Sequence, residues 1–142
     1  MKAVAPDRRP PPAAWGLMVL PLLPLSFANM AQRYGWFDGV PYLSGLWSMV
    51  LVGICAGLIA APAVLRGRWL VAYAAMSAPI LSLMTLWTGI LNAAESVSLG
   101  LLLILGLDLW AARAGLVPDW WPRLKLGFTV LAVALLIARH FS

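Results

Sequence analysis

Charge is what this sequence lacks most. Of its 142 residues, only ten are Lys or Arg and five are Asp or Glu. A soluble domain carries about 25% charged residues, whereas here the share is 11%, against 63% hydrophobic. A chain with so little polar side-chain surface is stable only where its solvent is itself apolar, and the mean hydropathy of +0.90 agrees. The composition therefore predicts an integral membrane protein. Cysteine is nearly absent too: the single Cys55 excludes a disulfide within the chain and any CxxC chemistry. The single histidine, His140, stands third from the C-terminus, which excludes a haem or chlorophyll held by histidine inside a span.

Catalytic constellations are equally scarce. The sequence has no Ser/His/Asp set, no HExxH, no glycine-rich phosphate loop and no acidic pair for a metal. The expectation is a protein that is not an enzyme and carries no cofactor or metal. The net charge of +5 would suggest nucleic acid in a soluble domain. Here the basic residues stand at the ends of apolar runs, so membrane orientation and lipid headgroups explain them, and nucleic acid is not an expected partner.

What is present is a set of long apolar runs. Residues 1–12, "MKAVAPDRRPPP", form a basic proline-rich tail whose three consecutive prolines exclude a helix interior. Residues 13–142 read as one membrane domain with spans at about 13–31, 42–65, 69–91, 96–115 and 120–138. Each run approaches the roughly 20 apolar residues that a bilayer requires. The first run could also pass for a secretory signal peptide. Read as a retained span, it is bent at Pro21 and Pro24. The fold class is thus all-α, a bundle of five transmembrane helices.

Topology follows from Lys and Arg. A cytoplasmic N-terminus places Lys2, Arg8, Arg9, Arg66, Arg68, Arg113, Arg123 and Lys125 inside, leaving Arg33 and Arg139 outside. Eight against two favours this orientation in a cytoplasmic (inner) membrane, with the C-terminus outside.

Five of the fifteen charged residues crowd into "DLWAARAGLVPDWWPRLKLGF", Asp108 to Phe128. Asp108 is the candidate functional residue, because a carboxylate inside a span costs about 2.5–3.5 kcal/mol at the helix centre. It lies seven residues before Gly115, roughly 10 Å below the helix end at 1.5 Å per residue. It reads either as a proton relay or substrate contact, or as one half of an ion pair with Arg113, Arg123 or Lys125. Asp119 reads as the cap of the last helix, with Pro122 harmless in its first turn. Trp69, Trp110, Trp120 and Trp121 read as interfacial anchors, since an indole is apolar yet keeps its N–H near water. Gly53 and Gly57, with Ala74 and Ala78 in the next span, offer small faces where helices approach closely. These faces suit packing between spans two and three, a homo-oligomer or a membrane-protein partner. Glu95 suits a helix N-terminus, while Asn29 and Gln32 suit capping or interhelical hydrogen bonds.

With the spans laid out, "LDLWAARAGLVPDWWPRLKLGFTVLAVALLIA", Leu107 to Ala138, resembles the closing segment of the family typified by mitochondrial transmembrane protein 69 and its proteobacterial relatives. That family has a turn "P-x-W-[YF]-x-x-L-R", met here by Pro118, Trp120, Trp121, Leu124 and Lys125. "SAPILSLMTLW" and "WGLMVLPLLPL" resemble its proline-bearing spans. One departure is large: an intramembrane Arg-Trp pair of the family is replaced here by Cys55 and Ala56. The resemblance implies a small five-helix membrane protein linked to energy-transducing complexes.

Three functions follow as expectations. The first is an accessory, assembly or interaction subunit of a larger, respiratory or photosynthetic complex. The second is a binder or carrier of an apolar molecule such as a quinone, lipid or tetrapyrrole, in a cavity lined by Trp47, Trp87 or Trp110 with Asp108 or an arginine as polar contact. The third is a proton-coupled transporter using Asp108.

Overall fold

The computed structural model describes residues 9–36 and 38–140, so Lys2 and Arg8 of the basic tail lie outside it, as does the side chain of Arg139. Every regular element among the described residues is helical: α1 (Pro12–Val19), α2 (Leu23–Tyr34), α3 (Val40–Leu65), α4 (Trp69–Trp87), α5 (Ala93–Arg113) and α6 (Trp121–His140). Five of the resulting rods are long and apolar enough to cross a bilayer, with α1 and α2 together forming the first. The chain is a multi-pass membrane protein.

The first rod is interrupted where its prolines fall. Residues Leu20–Leu22 form one tighter 3₁₀ turn between α1 and α2, because a proline has no N–H to give to the preceding turn and its ring crowds that turn's carbonyl. The indole of Trp47 on α3 donates to the Pro21 carbonyl at 2.8 Å, pinning the interrupted turn to the bundle. Asn29 donates to the Leu135 carbonyl of α6 at 3.0 Å, so the interhelical bond expected of this residue is present.

Helix ends depart from the apolar runs by a few residues, each for a local reason. The third rod stops at Trp87, not at residue 91, because Gly89 turns out of the helix with φ +72°. The fourth starts at Ala93 because Asn92 and Glu95 form a capping box, Glu95 N–H to Asn92 Oδ1 at 2.9 Å and Asn92 N–H to Glu95 Oε2 at 3.0 Å. Glu95 is thus a cap, as its position at a helix start predicts. The fifth begins at Trp121, so the residue in the capping position is Trp120 and not Asp119, which sits exposed in the turn before it.

The close approach of helices is not where the glycine motif puts it. A methyl group added at Gly53 or at Gly57 would meet no atom within 4 Å. The two residues lie half-buried on the flank of α3, while Leu51, Val52, Cys55, Ala56, Ile59 and Ala63 form its buried face. Against that face α4 sets Ala72, Ala75 and Ala78, all buried, with Ala74 only partly so. The tight contact falls at Gly100 of α5, where an added methyl would come within 2.9 Å of Val52 Cγ1 and 3.1 Å of Ser82 Oγ. Three helices meet there. Ser82 donates to the Ser96 carbonyl, and the Thr85 hydroxyl donates to Ser96 Oγ at 3.1 Å, so the polar groups at this junction satisfy one another.

Replacing Gly100 by Leu forces these helices apart, and overpacking of this kind costs about 1–3 kcal/mol. The purified variant is expected to melt several degrees lower in detergent, followed by tryptophan fluorescence. Gly53→Ala, entering open space, is expected to stay within about 0.5 kcal/mol of wild type.

Candidate functional site

A bilayer has no water to solvate a buried charge, so any charge inside the bundle must find a partner there. Asp108 on α5 and Lys125 on α6 are 0% and 1% exposed. Their side chains face each other across the α5–α6 contact, Lys125 Nζ to Asp108 Oδ2 at 3.9 Å. The Trp121 indole N–H donates to the other carboxylate oxygen, Oδ1, at 2.7 Å. The Lys125 ammonium also stands 5.3 Å from the centre of the Phe128 ring, one turn further along α6. On its third side is α3, whose buried Cys55 thiol interacts electrostatically with both members of the pair. Asp108, Lys125, Trp121, Phe128 and Cys55 thus form a small polar chamber bounded by three helices.

Sequence position fixes this geometry. On α6, Leu124, Phe128, Ala132 and Leu136 recur every four residues and are buried, forming the stripe that packs on the bundle. Lys125 and Thr129 sit one residue beyond two members of that stripe and are buried with it. On α5 the buried positions Gly100, Leu101, Ile104, Asp108 and Ala111 form the corresponding stripe. Asp108 is therefore on the packed face, as a leucine would be.

This arrangement corrects several expectations. Of the three cations that could have paired with Asp108, the structure selects Lys125; Arg113 and Arg123 are exposed. Lys125 is consequently no loop anchor but an interior residue, because its place on α6 falls in the packed stripe. Without it, the topological bias is seven against two. Trp121 directs its N–H into the chamber and not toward an interface, and its ring tilts against Trp120 with centroids 6.0 Å apart. Trp69 and Trp110, by contrast, are exposed on the bundle surface as anchors would be.

Trp87 is 87% exposed, and Trp47 is committed to the Pro21 carbonyl. Two apolar grooves on the outside of the bundle are lined by other residues. One runs between α1 and α6 past Trp15, Leu22, Leu124 and Leu131, and the other between α5 and α6 past Leu102, Leu105, Val130 and Ile137. Neither is lined by Asp108, Trp47, Trp87 or Trp110.

One contact ties the loops at the same end of the bundle. Arg66, just past α3, donates through Nη1 to the carbonyl of Gly115, in the turn between α5 and α6. The α3–α4 and α5–α6 turns, with Arg66, Arg68, Arg113 and Arg123, therefore share one end of the molecule. No family model, no curated protein and no solved structure matches the chain.

The charge pair has a specific energetic signature. Removing one partner of a buried pair costs about 3–5 kcal/mol, because the other charge is left unpaired. Lys125→Met and Asp108→Asn are each expected to lose stability on that scale, although Asn keeps an acceptor for Trp121. The double variant removes both charges and is expected to recover more than half of the loss. A double-mutant cycle on thermal unfolding in detergent measures this; additive losses would show that the two residues are not coupled.

Proposed function

We propose that the protein is an accessory or assembly subunit that joins a larger complex of the inner membrane by helix packing. In this reading the N-terminus is cytoplasmic and the C-terminus outside, the orientation that the seven-against-two distribution of cations favours. The observation that carries the proposal is the flank of α3. Gly53 and Gly57 are half-buried with open space above both Cα atoms, and Leu46, Val50 and Ile54 beside them are exposed and apolar. A second helix can lay its backbone against such a surface, where van der Waals contact drives association in lipid. The interior supports the same reading. The polar groups that cross between helices, Asn29, Trp47, Ser82 and the Asp108–Lys125 pair, all hold one helix to another.

The resemblance to the transmembrane protein 69 family adds a second point. It implies an arginine at the position of Cys55, and that position faces Asp108 and Lys125. In this chain Lys125 alone carries positive charge in the chamber. The chamber would then be common to the family, with its charge balance altered here.

A transporter reading has one observation in its favour. Asp108 Oδ2 and Lys125 Nζ are buried and form no hydrogen bond, so the pair is not locked as tightly as its geometry allows. An accessory subunit has no flux of its own. Liposomes holding a proton gradient are therefore expected to discharge no faster with the reconstituted chain than without it. The main reading is checked by size. Solubilised from its native membrane in mild detergent, the chain is expected to run well above its 15.3 kDa mass. Gly57→Leu is expected to run as a free monomer with an unchanged melting temperature. A wild-type chain recovered only as monomer would sink the proposal.

A further inference from the structure

The groove between α1 and α6 lies between two helices that begin at the same end of the bundle, with basic residues close to both starts in sequence. Its walls are apolar along their whole length: Trp15, Met18 and Leu22 on one side, Leu124, Phe128 and Leu131 on the other. It has a volume of about 100 Å³ and follows α6 for two turns, about 10 Å from Leu124 to Leu131. One end lies where both helices begin, Pro12 for α1 and Trp121 for α6. Exposed Arg9 precedes the first start and exposed Arg123 follows the second. One acid, exposed Asp119, stands nearby in the turn before α6. The floor of the groove includes Gly127, above which there is open space.

We infer that this groove is a binding site for a glycerophospholipid with a net negative headgroup. The upper part of one acyl chain lies between Trp15 and Phe128, and the phosphate sits between Arg9 and Arg123. The occupant must be apolar over two helical turns and anionic at the end where the helices start. A guanidinium suits a phosphate because its fork of donors matches two phosphate oxygens at once. Trp15, 48% exposed, supplies an indole at the level where a headgroup meets its acyl chains. The two helix N-termini add partial positive charge at the same place. The groove between α5 and α6 is lined by Leu102 and Leu105 of α5 and by Leu126, Val130 and Ile137 of α6.

The test is native mass spectrometry of the detergent-purified full chain, titrated with phosphatidylglycerol or with phosphatidylcholine of the same acyl composition. Wild type is expected to prefer phosphatidylglycerol by about fivefold or more, since a basic residue near an anionic lipid contributes about a factor of five to ten. Arg123→Gln is expected to lower that preference about fivefold. Gly127→Leu starts its side chain in open space, with nothing within 4 Å of the added Cβ, and is expected to weaken phosphatidylglycerol binding at least tenfold at an unchanged melting temperature. Arg68→Gln, at the same end of the molecule but off the groove, is expected to leave the preference intact. Equal affinity of the wild-type chain for both lipids would overturn the site. So would unchanged binding by Gly127→Leu, or an equal loss in Arg68→Gln and Arg123→Gln, because the effect would then belong to the whole basic face.

Discussion

The bundle is organised around a charge that lipid will not tolerate alone. Asp108 sits on the packed face of α5, and everything that surrounds it answers that fact: Lys125 opposite, the Trp121 N–H on its second oxygen, and the Phe128 ring beside the lysine. Desolvating the two ions costs several kcal/mol each, and their attraction recovers this only with good geometry. The 3.9 Å separation is not ideal, so the indole hydrogen bond is a necessary part of the arrangement. It fixes the register of α5 against α6: a rotation of either helix would expose one ion to acyl chains.

Around this pair the remaining helices are held by few polar contacts and many small residues. Gly100 lets α5 approach Val52 of α3 and Ser82 of α4, and alanines line the face that α4 turns to α3. In lipid, where apolar surface gains nothing by being buried against another helix, such close approach is the main source of cohesion. The proline-interrupted first rod is the exception. It is secured by side chains reaching main-chain carbonyls, Trp47 to Pro21 and Asn29 to Leu135.

The five rods were legible in the sequence because apolar runs of that length have no other stable use. Their ends were less so: a capping box at Asn92 and a left-handed glycine at Gly89 move boundaries without changing hydropathy. The pairing of Asp108 was legible only as a choice among three cations. A lysine four residues into a helix reads as an interfacial anchor by position alone. The discriminating signal was its phase, since Lys125 adjoins Leu124 and precedes Phe128 in the four-residue stripe of α6. Gly100 gave less warning. A lone glycine in an apolar run is silent, whereas the Gly53–Gly57 spacing draws notice, yet of these three it is Gly100 that has helices pressed against it.

The position of the ion pair also bears on how the chain enters the membrane. α5 on its own carries an uncompensated acid, and α6 on its own an uncompensated base. Each ion would carry a penalty of at most about 2.5–3.5 kcal/mol, the cost at a helix centre. The turn that joins them, residues 114–120, is short enough for the two helices to meet while both are still near the point of entry. As a hairpin they present lipid with a neutral unit. Pairing of the two ions therefore favours entry of the last two helices into lipid as one hairpin rather than one after the other.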